Sequence, residues 1–588
     1  MKFTNEQLMY MSNAARSGGL RAIRAAKSGH VGIALGAADI MTAIYANHLD
    51  IPRDRFVLSA GHGSALLYSV LKLRGYDLPP LETFRKLNGL PGHPEYGIPG
   101  VEATTGPLGQ GVANAVGLAM ATKIKKQTGK IYCLCSDGDL MEGVAQEAIA
   151  FAGRYKLNNL IMFWDDNGIS IDGKALTDLN MPMRMRAAGF EVLKANGHKF
   201  SEINAAIDKA KKSTKPTFIQ CKTTIGLGSD LAGKAEAHAM SLNDDQLAEL
   251  IGKFDSAEGA RLWERFVAPQ PPIATDFDPK IPVNPATVSG GMASSRELSG
   301  KYLETLLGKN SLLIGGSADL AESTNTRVAG SRDISPTDFS GNFIHFGVRE
   351  HAMAAIMNGL ALGGLRPYGG TFLVFSDYMR AAMRLSALMG LPVIYVLTHD
   401  SIALGEDGPT HQPVEQLPSL RLIPNMNVFR PCNAAEVKWA WDTALGEVSR
   451  PSCIVLSRQK FAQIETPAGA EIHRGGYIIK EGSKSGITLI ATGAEVPLAM
   501  AVADKIGAAV VSMPNVERFR LQDGEYKHRI LTGRVIAIEA GATTGWYEFA
   551  DGVAGIDSFG ASGGGAEVYK HFGFDADAIA GEIIRKLK

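Results

Sequence analysis

The sequence predicts an α/β protein built from three consecutive domains with mainly parallel sheets. Short apolar runs rich in β-branched residues recur along the chain with helix-length segments between them, which is typical of parallel α/β layers. A chain of 588 residues is too long for a single core. Proline-rich or poorly patterned stretches divide the apolar runs into three sets, so we expect three domains.

The first domain is predicted over residues 1–267. It opens with a helix, because Thr4 and Gln7 fit a capping box ahead of an amphipathic segment. Its predicted strands are RFVLSA (55–60), IYCLC (131–135), NLIMFW (159–164) and TFIQCKT (217–223). The proline-rich stretch 268–291 is predicted to be an interdomain linker.

The second domain is predicted over residues 292–461 and the third, smaller domain over 462–588, with a break in the pattern near 461–474. The predicted strands of the second domain are SLLIGG (311–316), FIHFGV (343–348), TFLVF (371–375), PVIYVLT (392–398) and SCIVLS (452–457). Those of the third domain are ITLIAT (487–492), AAVVSM (508–513) and RVIAIEA (534–540).

The composition excludes several classes of protein. Sixty Lys and Arg residues balance sixty Asp and Glu residues, which argues against a dedicated binder of nucleic acid or anionic membranes. No apolar run is long enough to span a bilayer, and the N-terminus lacks the apolar region of a signal peptide. The five cysteines lie mostly in apolar runs, which indicates buried thiols in a reducing compartment. We therefore expect a cytoplasmic protein with neither a nucleic-acid nor a membrane partner.

Polar side chains follow two consecutive predicted strands of the first domain. Asp137 comes directly after IYCLCS, and Asn167 follows NLIMFW. Parallel strands joined by one crossover would bring these positions together, and their oxygens, with a nearby carbonyl, suit Mg²⁺ or Ca²⁺. Such an ion would hold a diphosphate. The alternative is ordinary turn chemistry, since Asp-Gly and Asn-Gly are common turn pairs.

A glycine-rich turn, TTGPLGQGVANAVGLAMA (104–121), leads into a predicted helix whose N-terminus would favour a phosphate. It matches neither the Walker pattern nor the dinucleotide fingerprint, so it is weak support when taken alone. In the second domain, predicted strands lead into Arg349-Glu350-His351 and His399-Asp400. Because ligands bind beyond the carboxyl ends of parallel strands, we expect one site assembled from both sheets.

The glycine-rich turn, the Asp137-Gly138 and Asn167-Gly168 pairs and the phrase THDSIALGEDGPTHQPVEQL (398–417) together resemble the transketolase family of thiamine diphosphate enzymes. The resemblance extends in one collinear order from KSGHVGIALGAADI (27–40) through HFGVREHAMAAIMNGLAL (345–362) to ATGAEV (491–496). It covers essentially the whole chain. It implies the thiamine diphosphate-binding fold, with a diphosphate domain, a pyrimidine domain and a C-terminal domain that carries no known catalytic group.

The resemblance also implies a set of site residues. The residues implied to bind thiamine diphosphate are His62, Gly106, Leu108, Asp137, Gly138, Asn167, Ile169, His238, Glu350 and Phe375. Asp137, Asn167 and the backbone carbonyl of Ile169 would hold Mg²⁺ or Ca²⁺. The residues implied to act in catalysis are Glu350, His30, His238 and His399. Glu350 would hydrogen-bond the aminopyrimidine ring of the cofactor, and Phe375 would line the pocket around that ring.

The substrate residues implied by the resemblance are His30, His93, Arg296, Ser323, His399, Asp407, His411 and Arg458. Asp407 would recognise the configuration of a substrate hydroxyl, and Arg296, Ser323, His399 and Arg458 would bind the distal phosphate. Without the resemblance, the favoured interpretation of Glu350 is a charge that stabilises a helix N-terminus. A lone histidine is usually structural, and the two arginines are then best interpreted as ordinary surface cations.

The implied function is transfer of a two-carbon ketol unit from a ketose phosphate such as xylulose 5-phosphate to ribose 5-phosphate or erythrose 4-phosphate, in the non-oxidative pentose phosphate pathway. The implied assembly is a homodimer with active sites at the subunit interface. The alternatives are a dihydroxyacetone synthase, a deoxyxylulose-phosphate synthase or a non-catalytic paralogue. The sequence departs from the family pattern in the shorter, poorly matched region 174–290, where His238 lacks the usual upstream histidine.

Overall fold

The chain is an α/β protein in a computed structural model that describes residues 2–175, 180–239, 242–266, 291–308, 310–483 and 485–587. It folds into two compact units. The first consists of residues 1–275, 335–340 and 358–364, and the second of 276–334, 341–357 and 365–588. The predicted linker 268–291 lies outside the described residues, except for residue 291.

The first unit contains a five-stranded sheet in the order β1-β2-β3-β7-β6, and all its neighbouring strands are parallel. Its strands are β1 (Arg55–Leu58), β2 (Ile131–Ser136), β3 (Leu160–Asp166), β6 (Glu191–Asn196) and β7 (Thr217–Lys222), and a short hairpin is made by β4 (Ile169–Ser170) and β5 (Gly173–Lys174). The four strands predicted for this domain are confirmed. β6 was not predicted, because most of its side chains are partly exposed and form no apolar run.

The helices of this region are α1 (Asn5–Ala26), α2 (Val31–Gly36), α3 (Ala38–Ala43), α4 (Ser64–Leu73), α5 (Gln110–Ile124), α6 (Asp137–Met141), α7 (Gly143–Arg154), α8 (Met181–Ala187), α9 (Phe200–Ala210), α10 (Asp244–Phe254) and α11 (Ala257–Trp263). The predicted capping box at the start of α1 is confirmed, since the Thr4 side chain accepts from the Gln7 backbone and the Gln7 side chain accepts from Thr4. An apolar core of α1, α3, α4 and α9 covers one face of the sheet.

The second unit contains two larger sheets. The first is entirely parallel, with six strands in the order β10-β9-β11-β12-β14-β13. Its strands are β9 (Leu313–Ser317), β10 (Phe343–His345), β11 (Arg366–Phe372), β12 (Ile394–Thr398), β13 (Asn427–Phe429) and β14 (Ser452–Leu456), while β8 (Met292–Ala293) pairs with β15 (Phe461–Ala462). The helices of this part are α12 (Ser295–Leu306), α13 (Glu350–Leu362), α14 (Ser376–Met389), α15 (Gln416–Arg421) and α16 (Ala434–Gly446).

Two strand predictions for this sheet were wrong in extent. The predicted strand 343–348 ends at His345, and the predicted strand 371–375 is the end of β11, because residues 373–375 form a 3-10 turn. In both cases the apolar run continues past the last ladder hydrogen bond into the turn beyond the strand. The early strand ends matter for function, because they leave the following residues at the carboxyl edge of the sheet.

The other sheet has five strands in the order β16-β18-β17-β19-β20, parallel except for the β16–β18 pair. Its strands are β16 (Tyr477–Lys480), β17 (Ile487–Ala491), β18 (Ala509–Ser512), β19 (Arg534–Ile538) and β20 (Gly552–Ala554), and its helices are α17 (Glu495–Ile506), α18 (Val516–Arg520), α19 (Gly524–Ile530), α20 (Gly565–His571) and α21 (Ala576–Leu587). The three strands predicted for this domain are confirmed.

All five cysteine thiols are buried and free. Within the described ranges, no helix combines the length and the apolar character that crossing a membrane requires. The five-stranded sheet of the first unit and the six-stranded sheet of the second unit are entirely parallel. In each of them, the loops that follow the strands contain the residues that the sequence predicted to be functional.

Candidate active site

Asp137 and Asn167 lie just beyond the neighbouring parallel strands β2 and β3, as the sequence predicted. Asp137 is buried, and its Oδ2 accepts a hydrogen bond of 3.2 Å from the backbone N–H of Gly168. The Asn167 side-chain oxygen accepts from the N–H of Ile169 at 2.9 Å. The carboxylate and the 167–169 loop are therefore held against each other.

These groups suit a hard divalent cation. One carboxylate, one amide oxygen and one backbone carbonyl form an all-oxygen donor set of the kind that Mg²⁺ and Ca²⁺ prefer. Among the described residues, no group of three or more His, Cys, Asp or Glu side chains is arranged to hold a metal. The candidate set at Asp137, Asn167 and Ile169 is of a different kind, because only one of its three donors is such a side chain.

Asp139 is a buried residue that the sequence analysis did not select. Its Oδ1 accepts from the Ser59 hydroxyl at 2.6 Å and from the Gly109 N–H at 2.7 Å, and its Oδ2 accepts from the Ser136 N–H at 2.9 Å. Burial raises the pKa of this carboxyl, while the Ser59 hydrogen bond opposes the rise. Asp139 thus joins the loops after β1 and β2 to the glycine-rich turn. Its sequence signal was the capping box it forms with Ser136 at the start of α6.

Glycines bring the backbone close together around this site. Gly106 has a φ of +139°, and an added Cβ at Gly61 would lie 2.6 Å from the Gly106 nitrogen. An added Cβ at Gly138 would lie 2.8 Å from Leu108 Cδ1. Gly61 therefore lets the loop after β1 meet the 104–109 turn, where a larger residue would require the backbone to move, and Gly138 leaves room for the Leu108 side chain.

Four histidines that are widely separated in the sequence form one cluster in the first unit. The His30 ring centroid lies 5.4 Å from that of His62, 5.6 Å from that of His238 and 6.0 Å from that of His93. The His62 and His238 rings stack at 5.2 Å. The structure thus brings together the implied cofactor histidines and two of the implied substrate histidines.

The imidazoles of the cluster are neutral at physiological pH. Burial, followed by the neighbouring His30 and His238, lowers the pKa of His62 to about 3. Burial, followed by the charge of Arg85, lowers the pKa of His30 to about 4. Burial also lowers the pKa of His238, and that of His93, the most exposed of the four. A neutral imidazole keeps one donor and one acceptor, which suits contact with hydroxyl groups.

A buried hydrogen-bond chain supports the loop that carries His238. His198 Nδ1 lies 2.9 Å from Asp39 Oδ2, and His198 Nε2 accepts from the Thr224 N–H at 2.9 Å. The acceptor role of Nε2 assigns the proton to Nδ1, which then donates to Asp39. An added Cβ at Gly32 would lie 2.5 Å from the carbonyl oxygen of Ala237. The segment after His30 and the segment before His238 are therefore in direct contact.

In the second unit, aromatic rings form a continuous surface after β11. The rings of Phe372 and Phe375 stack at 5.8 Å, Tyr378 lies 6.0 Å from Phe375, and His411 lies edge-on to Phe375 at 5.3 Å. Glu350, which is half-buried, is the first residue of α13 after β10. Phe375 is the last residue of the 3-10 turn that follows β11, and it is half-buried.

The four residues implied to bind a distal phosphate also lie in the second unit. Arg296 Nη1 donates to the Ser323 carbonyl oxygen at 2.6 Å. Burial, followed by the charges of Arg296 and Arg458, lowers the pKa of His399 to about 3. Both guanidinium groups therefore act on the same imidazole, and fixed positive charge of this kind suits phosphate oxygens.

The remaining substrate residues differ in their surroundings. The His399 ring centroid lies 3.7 Å from that of Phe372, and its Nδ1 is 2.8 Å from the Thr398 hydroxyl. His411 is half-buried, and its Nδ1 is 2.9 Å from the Thr410 hydroxyl. Asp407 is exposed, and within the described part of the chain its carboxylate makes no hydrogen bond or ion pair. The structure therefore gathers His399 and His411 around the aromatic surface but does not anchor Asp407.

Three family models match successive parts of the chain. The model described as "Transketolase, thiamine diphosphate binding domain" matches residues 8–274. The model described as "Transketolase, pyrimidine binding domain" matches residues 292–463, and the "Transketolase-like TK C-terminal domain" matches residues 475–575. Together these matches extend over most of the chain.

Similar proteins and structures agree with these matches. A transketolase of Sinorhizobium medicae is 42% identical, with 98% of this chain and 94% of the relative covered. The crystal structure of transketolase from Campylobacter jejuni is similar with a TM-score of 0.92 at 39% identity, covering 99% of this chain and 100% of that one. A Pichia stipitis transketolase in complex with sedoheptulose-7-phosphate is similar with a TM-score of 0.89 at 36% identity. The match covers 99% of this chain and 97% of the Pichia stipitis chain.

Proposed function

The chain belongs to the transketolase family and is an enzyme of that family, and on this premise we propose its substrates, its metal, its assembly and the roles of its residues. The proposed reaction moves a two-carbon ketol unit from a ketose phosphate such as xylulose 5-phosphate to ribose 5-phosphate or erythrose 4-phosphate. This reaction belongs to the non-oxidative pentose phosphate pathway.

The observation that carries the choice of sugar phosphates is the grouping of Arg296, Ser323 and Arg458 near His399. Arg296 Nη1 donates to the Ser323 carbonyl oxygen at 2.6 Å, the Arg296 N–H donates to the carbonyl of Ser457, which precedes Arg458, and the charges of both arginines add to the effect of burial in lowering the pKa of His399. Their guanidinium groups retain their charge throughout the physiological pH range and match phosphate oxygens in geometry. The Pichia stipitis relative that binds sedoheptulose-7-phosphate supports the same substrate class.

Thiamine diphosphate is the proposed cofactor, and its diphosphate end belongs to the first unit. Gly106, Leu108 and Gly138 provide the close backbone approach, and His62 and His238 line the site. Asp137, Asn167 and the Ile169 carbonyl would hold Mg²⁺ or Ca²⁺, in agreement with their oxygen donors. When bound, the cofactor supplies the electron sink for cleavage of the carbon–carbon bond next to the ketose carbonyl.

Glu350 is proposed to hold a proton against the aminopyrimidine ring, with Phe375 packed on that ring. The neutral imidazoles of His30, His62, His93 and His238 are proposed to hydrogen-bond the reacting end and the sugar hydroxyls. His399, together with the two arginines and Ser323, would bind the distal phosphate. Asp407 and His411 would contact the hydroxyls next to the ketose carbonyl.

The active assembly is proposed to be a cytoplasmic homodimer in which each active site includes residues from both subunits. Equilibrium sedimentation of the protein with thiamine diphosphate and Mg²⁺ should give twice the mass of the chain. A monomer that turns over at the full rate would contradict this assembly.

The reaction is tested directly by supplying xylulose 5-phosphate and ribose 5-phosphate with thiamine diphosphate and Mg²⁺ and measuring sedoheptulose 7-phosphate. Glu350→Gln should lower turnover by about 10²–10⁴-fold, the usual contribution of a positioned proton donor or acceptor, while cofactor binding persists in calorimetry. Glu525→Gln is the matched control, since Glu525 is an exposed acid in the first turn of α19 and its loss should leave turnover unchanged.

Each alternative has its own outcome in this assay. Turnover that requires pyruvate or formaldehyde as the second substrate would identify one of the related synthases instead. Failure to bind thiamine diphosphate would contradict the roles proposed for Asp137, Asn167 and Ile169. Wild-type turnover in Glu350→Gln would refute the role given to Glu350.

A further inference from the structure

A buried ion network adjoins the proposed phosphate-binding residue His399. The next residue, Asp400, is 2% exposed, and its Oδ2 accepts a hydrogen bond of 3.0 Å from Arg430 Nε. Arg430 Nη2 lies 2.9 Å from the same oxygen. The backbone of His399 has a φ of +61°, a left-handed conformation that a residue with a side chain rarely adopts without external support.

Arg430, which pairs with Asp400, is itself held by residues of the C-terminal sheet region. Arg430, which follows β13, forms an ion pair with Glu495 at the start of α17 and donates from Nη1 to the Thr492 hydroxyl at 2.8 Å. The Tyr569 hydroxyl of α20 donates to Glu495 Oε1 at 2.7 Å. It also lies 3.1 Å from the Ser401 hydroxyl, in the same segment as His399. Two elements of the C-terminal sheet layer therefore contact Arg430 and Ser401, the ion-pair partner and the chain neighbour of Asp400.

A further acid and a second arginine complete the network. Arg421 binds Glu539 through two hydrogen bonds of 2.8 and 2.9 Å, and Trp546 Nε1 donates to the same carboxylate at 2.9 Å. Burial opposes ionisation of Glu539, but the charges of Arg421 and Arg430 outweigh it and hold its pKa at about 2. Removal of one member of such a buried set leaves an uncompensated charge, so the network is a rigid part of the fold.

Ser457 connects this network to the two arginines of the phosphate set. Its hydroxyl donates to Asp400 Oδ2 at 3.1 Å, and its backbone N–H donates to the Ser295 hydroxyl at 2.7 Å. Its carbonyl accepts from the Arg296 N–H at 3.4 Å, and Arg458 is the next residue in the chain. The backbone positions of His399, Arg296 and Arg458 are thus joined through Asp400 and Ser457.

A second set of contacts fixes the same segment further along. Gln412 Nε2 donates to the carbonyl oxygens of Ile402 at 3.1 Å, Gly405 at 3.0 Å and Ala561 at 2.9 Å. An added Cβ at Gly565 would lie 2.3 Å from the Ala403 carbonyl oxygen. The glycine-rich loop before α20 therefore lies in direct contact with the segment between His399 and His411.

We propose that the C-terminal domain positions the phosphate-binding set. Glu495 and Tyr569 of that domain, together with Arg430 and Ser457 of the preceding domain, are the positioning residues, and they act through Asp400 and its neighbour Ser401. This inference rests on the proposed function, because it takes Arg296, His399 and Arg458 as the groups that contact the substrate's distal phosphate. None of the positioning residues touches the phosphate itself. Their effect is to hold the His399 backbone and the Ser457–Arg458 segment in register at the ends of β12 and β14.

The test compares kcat/KM for a phosphorylated ketose donor with kcat/KM for the same ketose without phosphate, using the holoenzyme. Ser457→Ala should lower the ratio of the two values by about tenfold, the loss expected from weakening one charge-assisted hydrogen bond, while kcat stays within about twofold. Tyr569→Phe should lower the ratio by only about threefold, because the Tyr569 hydroxyl reaches the Asp400 segment indirectly, through Glu495 and Ser401. Both variants remove a single hydroxyl, so they disturb the fold less than changes at Arg430.

Matched controls remove a buried hydroxyl elsewhere in the same unit. Ser386→Ala, in α14, breaks a hydrogen bond to Tyr395, and Tyr526→Phe breaks a 2.8 Å hydrogen bond to the Gly476 carbonyl in the C-terminal sheet region. Each should cost stability comparable to that lost in its partner variant and leave the kcat/KM ratio unchanged. Thermal unfolding of all four variants verifies that the comparison is made between folded proteins.

Arg458→Ala separates this inference from the proposed function. A lower ratio in Arg458→Ala together with an unchanged ratio in Ser457→Ala and Tyr569→Phe would overturn the positioning role and leave the proposed function intact. An unchanged ratio in Arg458→Ala would overturn the phosphate assignment, and the positioning role with it. A lower ratio in all three variants, with both controls at the wild-type value, supports the proposal.

Discussion

The neutral state of His62 makes the stability of the protein sensitive to acid. Its ring stacks on His238 and meets His30 edge-on inside the four-histidine cluster, and burial, then these neighbours, lower its pKa to about 3. In the unfolded chain a histidine titrates with a pKa of about 6.5. Below about pH 6.5 the unfolded state therefore binds a proton that the folded state does not, and the folded state loses stability as the pH falls towards about 3.

The size of this effect follows from the two pKa values. At about pH 5 the folded state has not yet bound the proton, so the contribution depends on the unfolded pKa alone. A difference of about 1.5 pH units corresponds to about 2 kcal/mol of unfolding free energy, at about 1.4 kcal/mol per unit. For a folding unit of this size, about 2 kcal/mol shifts Tm by about 4 °C.

The perturbation is His62→Gln, measured by differential scanning calorimetry without added cofactor at about pH 7.5 and about pH 5. Both proteins should lose stability in acid, because His30 and His48 also have pKa values lowered to about 4. The loss in Tm should be about 4 °C smaller in His62→Gln than in the wild type.

His528→Gln is the control, since His528 is exposed on α19 and its removal should leave the pH dependence of Tm as in the wild type. A chain of two units can unfold in more than one calorimetric transition. The Tm values compared are therefore those of the transition that His62→Gln shifts at neutral pH. The same loss of Tm in His62→Gln and in the wild type would refute the view that His62 is held neutral by the fold.

Two further predictions concern the cofactor site. An anionic diphosphate favours the charged form of nearby imidazoles, so binding of thiamine diphosphate at about pH 6 should take up protons. Calorimetry in buffers of different ionisation enthalpy measures this uptake. Binding without proton uptake would contradict the placement of the diphosphate beside the histidine cluster. Gly61→Ala should weaken cofactor binding by about tenfold or more, because its Cβ would lie 2.6 Å from the Gly106 nitrogen and the 104–109 turn would have to move. Gly143→Ala is the control and should bind the cofactor as the wild type does, since nothing lies within 4 Å of its Cβ. Equal affinity in both variants would contradict the argument that Gly61 is needed for the close backbone approach.

The strand-end loops are predictable from the sequence for a physical reason. Buried parallel strands form uninterrupted apolar runs, so the first polar residue after a run marks the carboxyl edge of the sheet. This rule locates the strand ends beside Asp137, Asn167 and His399 from the order of residues, although the first polar residues after the first two runs are Ser136 and Asp165. It fails for residues 373–375, where an apolar run continues into a turn, and for β6, whose partly exposed side chains form no such run.

The histidine cluster and the ion network are not predictable by the same reasoning. His30, His62 and His238 come from loops far apart in the chain, and only the resemblance to a known family placed them together. Arg430 meets Asp400 and Glu495 across separations of 30 and 65 positions, and no local pattern marks such a contact. Local sequence specifies which edge of a sheet carries polar residues, whereas the folded chain determines which of those residues meet.

In the proposed phosphate site, two arginines carry positive charge and a neutral histidine provides a hydrogen bond. This local charge explains why the balanced net charge of the chain does not exclude anionic substrates. Guanidinium groups cannot lose their charge, so in the proposed site Arg296 and Arg458 would attract a phosphate at any physiological pH. His399, whose pKa is lowered to about 3 by burial and then by these arginines, is neutral beside them. In the proposed site it would therefore give a bound phosphate one directed hydrogen bond from Nε2, since its Nδ1 lies 2.8 Å from the Thr398 hydroxyl. None of these three residues changes its charge between about pH 6 and about pH 8. A change of turnover within that range should therefore come from groups that transfer protons in the reaction, and not from the residues proposed to bind the phosphate.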